Sequence, residues 1–182
     1  MSAFPRIALM LIAALAIGGC ASNMYELPAP PEEGERADAE LASRAEEEQK
    51  QKEYAAARAA LLKAYNLLST QRYDEAVALM SQETRALLTY NTDDSAADVL
   101  ADGALTLPSG ERIEFEPSTF FIAADVQKVE DDLDGVEQNE TDRRREFFVV
   151  SEDGSARRVV MIKQGDEWVL HKTRVGGETV RP

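Results

Sequence analysis

RRREFFVVSEDGSARRVVMIKQGDEWVLHKTR, residues 143–174, carries the plainest strand signal in the chain. Polar and apolar residues alternate through 143–151, 156–163 and 168–174, the period-two pattern of strands. Asp153-Gly154 and Gln164-Gly165-Asp166-Glu167 supply tight turns between them. The stretch therefore predicts three successive antiparallel strands. Phe147-Phe148-Val149-Val150 and Val159-Val160-Met161-Ile162 are apolar on both faces. One face of that sheet has helices to lie on. The other needs a further layer, a pocket or a second subunit, so the sheet is a candidate surface for a homodimer.

Moving upstream, residues 126–133 also alternate, and Leu105-Thr106-Leu107, Pro108-Ser109-Gly110 and residues 112–116 read as a hairpin with Ile113 and Phe115 on one face. Residues 117–124 predict one or two helical turns. Before the hairpin the period is helical. Helices are predicted at 73–80, at 81–90 with Ser81 as cap, and at 95–102, where Asp98 follows Ser95 by three residues and Gly103 stands past the end. Tyr73-Asp74-Glu75-Ala76 resembles the middle of a tetratricopeptide repeat, but it occurs once, and a stable array needs several copies. Helices first and a meander afterwards make an α+β domain, with N-terminal helices packed on a curved antiparallel sheet.

The long segment before these helices has two characters. Tyr54, Ala57, Leu61, Tyr65 and Leu68 recur at three- and four-residue spacing with Leu62 alongside, so the α+β domain is read as 54–175, leaving 176–182 as a tail. Residues 35–53 are Ala, Glu, Gln, Lys and Arg with Leu41 the one large apolar residue, which predicts a polar, solvated helical stalk. It lacks the apolar heptad of a coiled coil.

Residues 20–34 carry Pro28, Pro30 and Pro31. Such a linker is stiff and extended, and at ~3.1 Å per residue it reaches about 40 Å. Residues 1–19 place Arg6 before an unbroken apolar run from Ile7 to Ile17, too short to span a bilayer as a helix and suited to a secretory signal. Ile17-Gly18-Gly19-Cys20 resembles the lipobox of bacterial lipoproteins. That resemblance implies cleavage before Cys20, a thioether-linked diacylglycerol on its sulfur and an acylated amino terminus. Ala21 follows the cysteine where inner-membrane retention favours aspartate. The expected place is thus the outer membrane, on its periplasmic side, with lipid as the membrane partner.

Three helices, a hairpin and a meander ending in Gly165-Asp166-Glu167-Trp168-Val169-Leu170 look like the cone-shaped fold of nuclear transport factor two and ketosteroid isomerase. The resemblance implies a pocket between helix and bent sheet, and subunits that pair through the sheet. Catalytic members use an acidic base with a tyrosine or acid donor, and no residue here can be matched to those roles, so no catalytic residue is carried over.

Composition excludes more than it assigns. The 182-residue chain has 34 acidic against 20 basic residues, a formal charge of −14, which disfavours nucleic acid. One cysteine and one histidine exclude disulfide frameworks and multi-His metal centres. No cofactor is expected. Glu130, Asp132, Asp134 and Gly135 follow an EF-hand pattern, but Thr141 stands where a bidentate Glu is required, so the stretch is read as a solvated acidic turn and no metal site is assigned. Residues 91–142 hold 15 acids and 2 bases, and Arg143-Arg144-Arg145 is expected to pair across strands with 130–134. His171 is a general-base candidate with nothing adjacent to complete a catalytic set. Phe120, Phe121, Phe147 and Trp168, with Phe148, are read first as core and second as pocket lining. The functional expectation is a non-catalytic binding or envelope-support domain that takes an envelope protein or a small apolar ligand. An isomerase-like pocket inside the cone, and a partner docked on the polar helix or sheet face, are the alternatives.

Overall fold

The computed structural model describes residues 33–132, 136–176 and 179–180. The signal segment, Cys20 and nearly all of the Pro-rich linker lie outside them, as does 133–135 of the acidic turn. The chain divides into two compact units, residues 1–39 and 40–182.

Helix α1 runs unbroken over Glu33–Ser69. Its run of strong helix formers contains Gly34 near the start and no proline, so nothing interrupts the hydrogen-bond ladder. Every side chain from 40 to 52 is exposed, Leu41 at 62%. Beyond it Tyr54 is half-buried, and Ala57, Leu61, Ala64 and Leu68 are buried, a stripe with alternating three- and four-residue steps. Leu62 falls off that stripe and stays 40% exposed.

Three short helices follow: α2 (Tyr73–Ala78), α3 (Gln82–Leu88) and α4 (Ala96–Asp102). The caps read from sequence are present. Ser81 accepts from Thr84 N, and Ser95 and Asp98 form a reciprocal capping box. Gly103 closes α4 with φ at 63°, and a Cβ there would sit 3.0 Å from the carbonyl oxygen of Phe115, so glycine suits both the turn and the close approach. The hairpin is β1 (Ala104–Thr106) with β2 (Arg112–Glu114), and Glu116 caps α5 (Pro117–Phe121).

The main sheet has the order β3 (Lys128–Glu130), β4 (Arg144–Val150), β5 (Ala156–Gln164), β6 (Glu167–His171), all antiparallel. The architecture is α+β: five helices and two sheets among the described residues. A short β7 (Thr179–Val180), within the segment read as a tail, pairs with the start of β5 along the edge that β6 uses further on. The outer edge of β6 is covered by residues 79–81, through Ser81 N to Leu170 O at 2.9 Å and Leu170 N to Leu79 O at 2.8 Å. That pairing occupies the outward-facing backbone groups of Leu170.

Register separates two faces of the sheet. Val129, Phe147, Val149, Val159, Met161, Trp168 and Leu170 join the stripe of α1 in one core. Glu146 and Phe148 of β4, opposite Val160 and Arg158 of β5, lie on the other face. Phe148 is nevertheless fully buried within the single chain, with the guanidinium carbon of Arg158 5.8 Å from its ring centroid. The carbonyls of Glu137 and Asn139 accept from Arg158 and Arg144 above this face.

The pairing expected between the arginine triplet and the acidic turn is not found among the described residues. β3 pairs with β4 only as far as Glu130 opposite Phe148, and the ladder stops before it reaches the arginines. Glu130 pairs instead with Lys128 on its own strand. Arg144 turns to Glu146 at 2.7 Å, two residues along the same face. An i,i+2 partner on one strand face is closer at hand than a strand that has already diverged.

Candidate functional site

A groove of about 890 Å³ opens between the exposed half of α1 and the start of β4. Ala45, Glu46, Gln49, Lys50 and Glu53 come from the helix at three- and four-residue steps, hence from one face. Glu140, Thr141 and Asp142 come from the turn into β4, Arg145 from β4 itself and Lys163 from β5. The volume falls in the roughly 300–1,000 Å³ range of small-ligand clefts.

The helical wall is pinned by Glu53. One carboxylate oxygen accepts from Lys163 Nζ at 2.7 Å and the other from the indole Nε1 of Trp168 at 3.0 Å. These two bonds, Lys163 first, hold the carboxyl below its usual range, so it is ionised at neutral pH. The neighbouring Tyr54 hydroxyl bonds to Glu140, whose second oxygen accepts from Glu146 N at 3.2 Å. Burial and then that carboxylate push the Tyr54 phenol upward, keeping it a neutral donor.

Arg145 forms the floor, only 6% exposed. Strand alternation turns it to the core face while Arg144 and Glu146 turn to the other. Its guanidinium lies 4.9 Å from the ring centroid of Tyr54 and 5.7 Å from that of Trp168, within cation–π range. One terminal nitrogen donates to the carbonyl oxygens of Thr141 and Arg144. Its Nε has no hydrogen-bond partner, and among the described residues the side chain forms no ion pair. Burying a guanidinium without a carboxylate is costly even between aromatic faces. It is the feature of the groove that local packing explains least.

The residues singled out from sequence lie mostly elsewhere. Phe121, Phe147 and Trp168 are core residues, and Phe120 packs half-buried against that core. Phe147 meets Tyr54 edge-on at 6.0 Å, so it and Trp168 back the groove from beneath without lining it. Phe120 tilts against Phe115 at 4.6 Å, meets Phe121 edge-on at 4.8 Å and lines a smaller cleft. The groove's own residues carried no motif. The signal that points to Arg145 is its place at an inward position of a strand that continues Phe147-Val149 on the same side.

His171 lies apart, on β6. Ser81 Oγ is 3.0 Å from its Nδ1, and Glu83 is 4.0 Å from the same nitrogen. A hydrolytic triad needs hydroxyl and acid on opposite ring nitrogens, so this grouping is not one. Ser81 is fully buried as the α3 cap, and Thr84 donates to Leu170 O while accepting from Lys172 N. The cluster staples α3 to β6. Burial holds the imidazole below its ordinary value, with Glu83 opposing.

Among the described residues no helix is long and apolar enough to cross a membrane. The chain matches no family model, no curated protein and no solved structure.

Proposed function

We propose that this protein is a lipoprotein of the bacterial outer membrane, tethered through a lipidated Cys20 and facing the periplasm, whose cone-like α+β domain is a non-catalytic binding module. The observation that carries the reading is the position of the sole cysteine. It directly follows Ile17-Gly18-Gly19, at the end of an eleven-residue apolar run that begins after Arg6. Several acyl chains at ~0.8 kcal/mol per buried methylene exceed what lasting attachment requires. The acidic body would be repelled by an anionic leaflet, so the lipid does the holding.

The solvated first half of α1 supports the same reading, since an anchored domain needs a polar spacer between its linker and its core. A binding role without chemistry suits the groove. The Glu53 carboxylate of the groove is held ionised by Lys163 and Trp168 and is therefore no proton donor at neutral pH. Fractionation of cells making Cys20→Ser tests the tether. The variant should move from the membrane pellet to the soluble fraction, and unchanged pelleting would contradict the proposal.

A further inference from the structure

We infer that the groove over Arg145 binds a small peptide-like zwitterion, with the ligand's carboxylate on the Arg145 guanidinium and its ammonium among the acids of the rim. The inference deepens the binding role proposed above and rests on it.

Arg145 is nine-tenths buried and lines an open groove, yet no carboxylate pairs with it among the described residues. The guanidinium is held by two carbonyls and two aromatic rings, an arrangement that fixes its plane. With one terminal nitrogen committed to those carbonyls and Nε buried, the other terminal nitrogen is left to donate a charge-assisted hydrogen bond to a ligand carboxylate. Lys163 is committed to Glu53 and neutralised by it, which leaves Arg145 as the buried cation for a ligand carboxylate.

The other charges narrow the choice. Glu46, Lys50 and Asp142 stand exposed on the rim, where acids outnumber the one base, and Glu140 lies deeper, bonded to Tyr54. A polyanion entering this groove would meet four carboxylates, of which only Glu53 is ion-paired among the described residues. A purely cationic ligand would face the buried arginine. A molecule with one carboxylate and one ammonium satisfies both, which is the charge pattern of an amino acid or short peptide.

The test uses full-length lipidated protein in detergent micelles, with calorimetric titration of dialanine, N-acetyl-dialanine, dialanine amide and inorganic phosphate. Dialanine should saturate at millimolar or lower concentration. Amidating its carboxylate should weaken binding at least about tenfold, and acetylating its amine by about threefold or more. Arg145→Gln should abolish dialanine binding while thermal melting shows a folded protein. If that variant does not fold, the exposed Glu46→Gln and Asp142→Asn serve instead: each should weaken dialanine but leave N-acetyl-dialanine unchanged. Saturable phosphate binding without dialanine binding would overturn the zwitterion and keep a binding groove. Equal affinity for dialanine and its amide would overturn the carboxylate role of Arg145. Silence from all four probes would overturn the inference, while membrane pelleting would still report separately on the tether.

Discussion

The indole Nε1 of Trp168 donates to Glu53 at 3.0 Å, joining the last long strand to the middle of α1 across 115 positions of chain. Lys163 donates to the same carboxylate. Glu53 thus marks where the exposed half of the helix meets the body of the domain, one residue before Tyr54 begins the buried stripe.

This arrangement predicts a pH signature. The Glu53 carboxyl is lowered from 4.5 in the fold, so its contribution to stability is fully present above pH 4.5 and is lost as pH falls through the folded value. Glu53→Gln should melt below the parent at pH 7, and the gap should narrow as pH is taken below 4.5. A gap independent of pH, read by thermal melting, would contradict the ion pair.

Adjacent leucines on α1 test the face of the helix. Leu61 is fully buried and Leu62 is 40% exposed. Leu61→Ala should cost about 2–5 kcal/mol in urea unfolding, from lost transfer energy plus the cavity left behind. Leu62→Ala should stay within about 0.5 kcal/mol of the parent. Equal losses would mean that the helix packs on another face.

The capping box of α4 is a third check. Ser95 accepts from Asp98 N at 3.2 Å, and Asp98 reaches back to Ser95 N at 3.3 Å. Ser95→Ala removes one acceptor from a seven-residue helix whose inner face carries the buried Val99 and Leu100. The expected loss is about 1 kcal/mol, measured by chemical denaturation. An unchanged midpoint would show that α4 is held by packing alone.

Much of this fold is legible in sequence because local chemistry and tertiary structure agree. Ser95, Asp98 and Gly103 announce both ends of α4, and β4 to β6 announce themselves by alternation between two glycine turns. Length was less readable: 126–133 alternates throughout, yet β3 holds only Lys128–Glu130, because strand length depends on a partner that leaves the ladder. Thr179–Val180 carried no pattern long enough to read, and its pairing with β5 is a tertiary event.

The candidate site was the harder part. Charge counting sets Arg143, Arg144 and Arg145 together against residues 130–134, whereas strand alternation sends Arg144 to Glu146 and buries Arg145 against Tyr54 and Trp168. The groove also draws Glu46, Gln49 and Lys50 from a helix face that reads as solvated stalk, and no spacing rule reveals what a distant turn brings against it. Tyr54 and Trp168 read as core aromatics, and they are; their second use, flanking a guanidinium, depends on which strand position faces them.

Mass spectrometry of the protein purified from its own membranes tests the central claim most directly. The chain should start at Cys20 and carry the added mass of a diacylglycerol and an amide-linked acyl group. A chain that keeps its leader, or a Cys20 with a bare thiol, would contradict it.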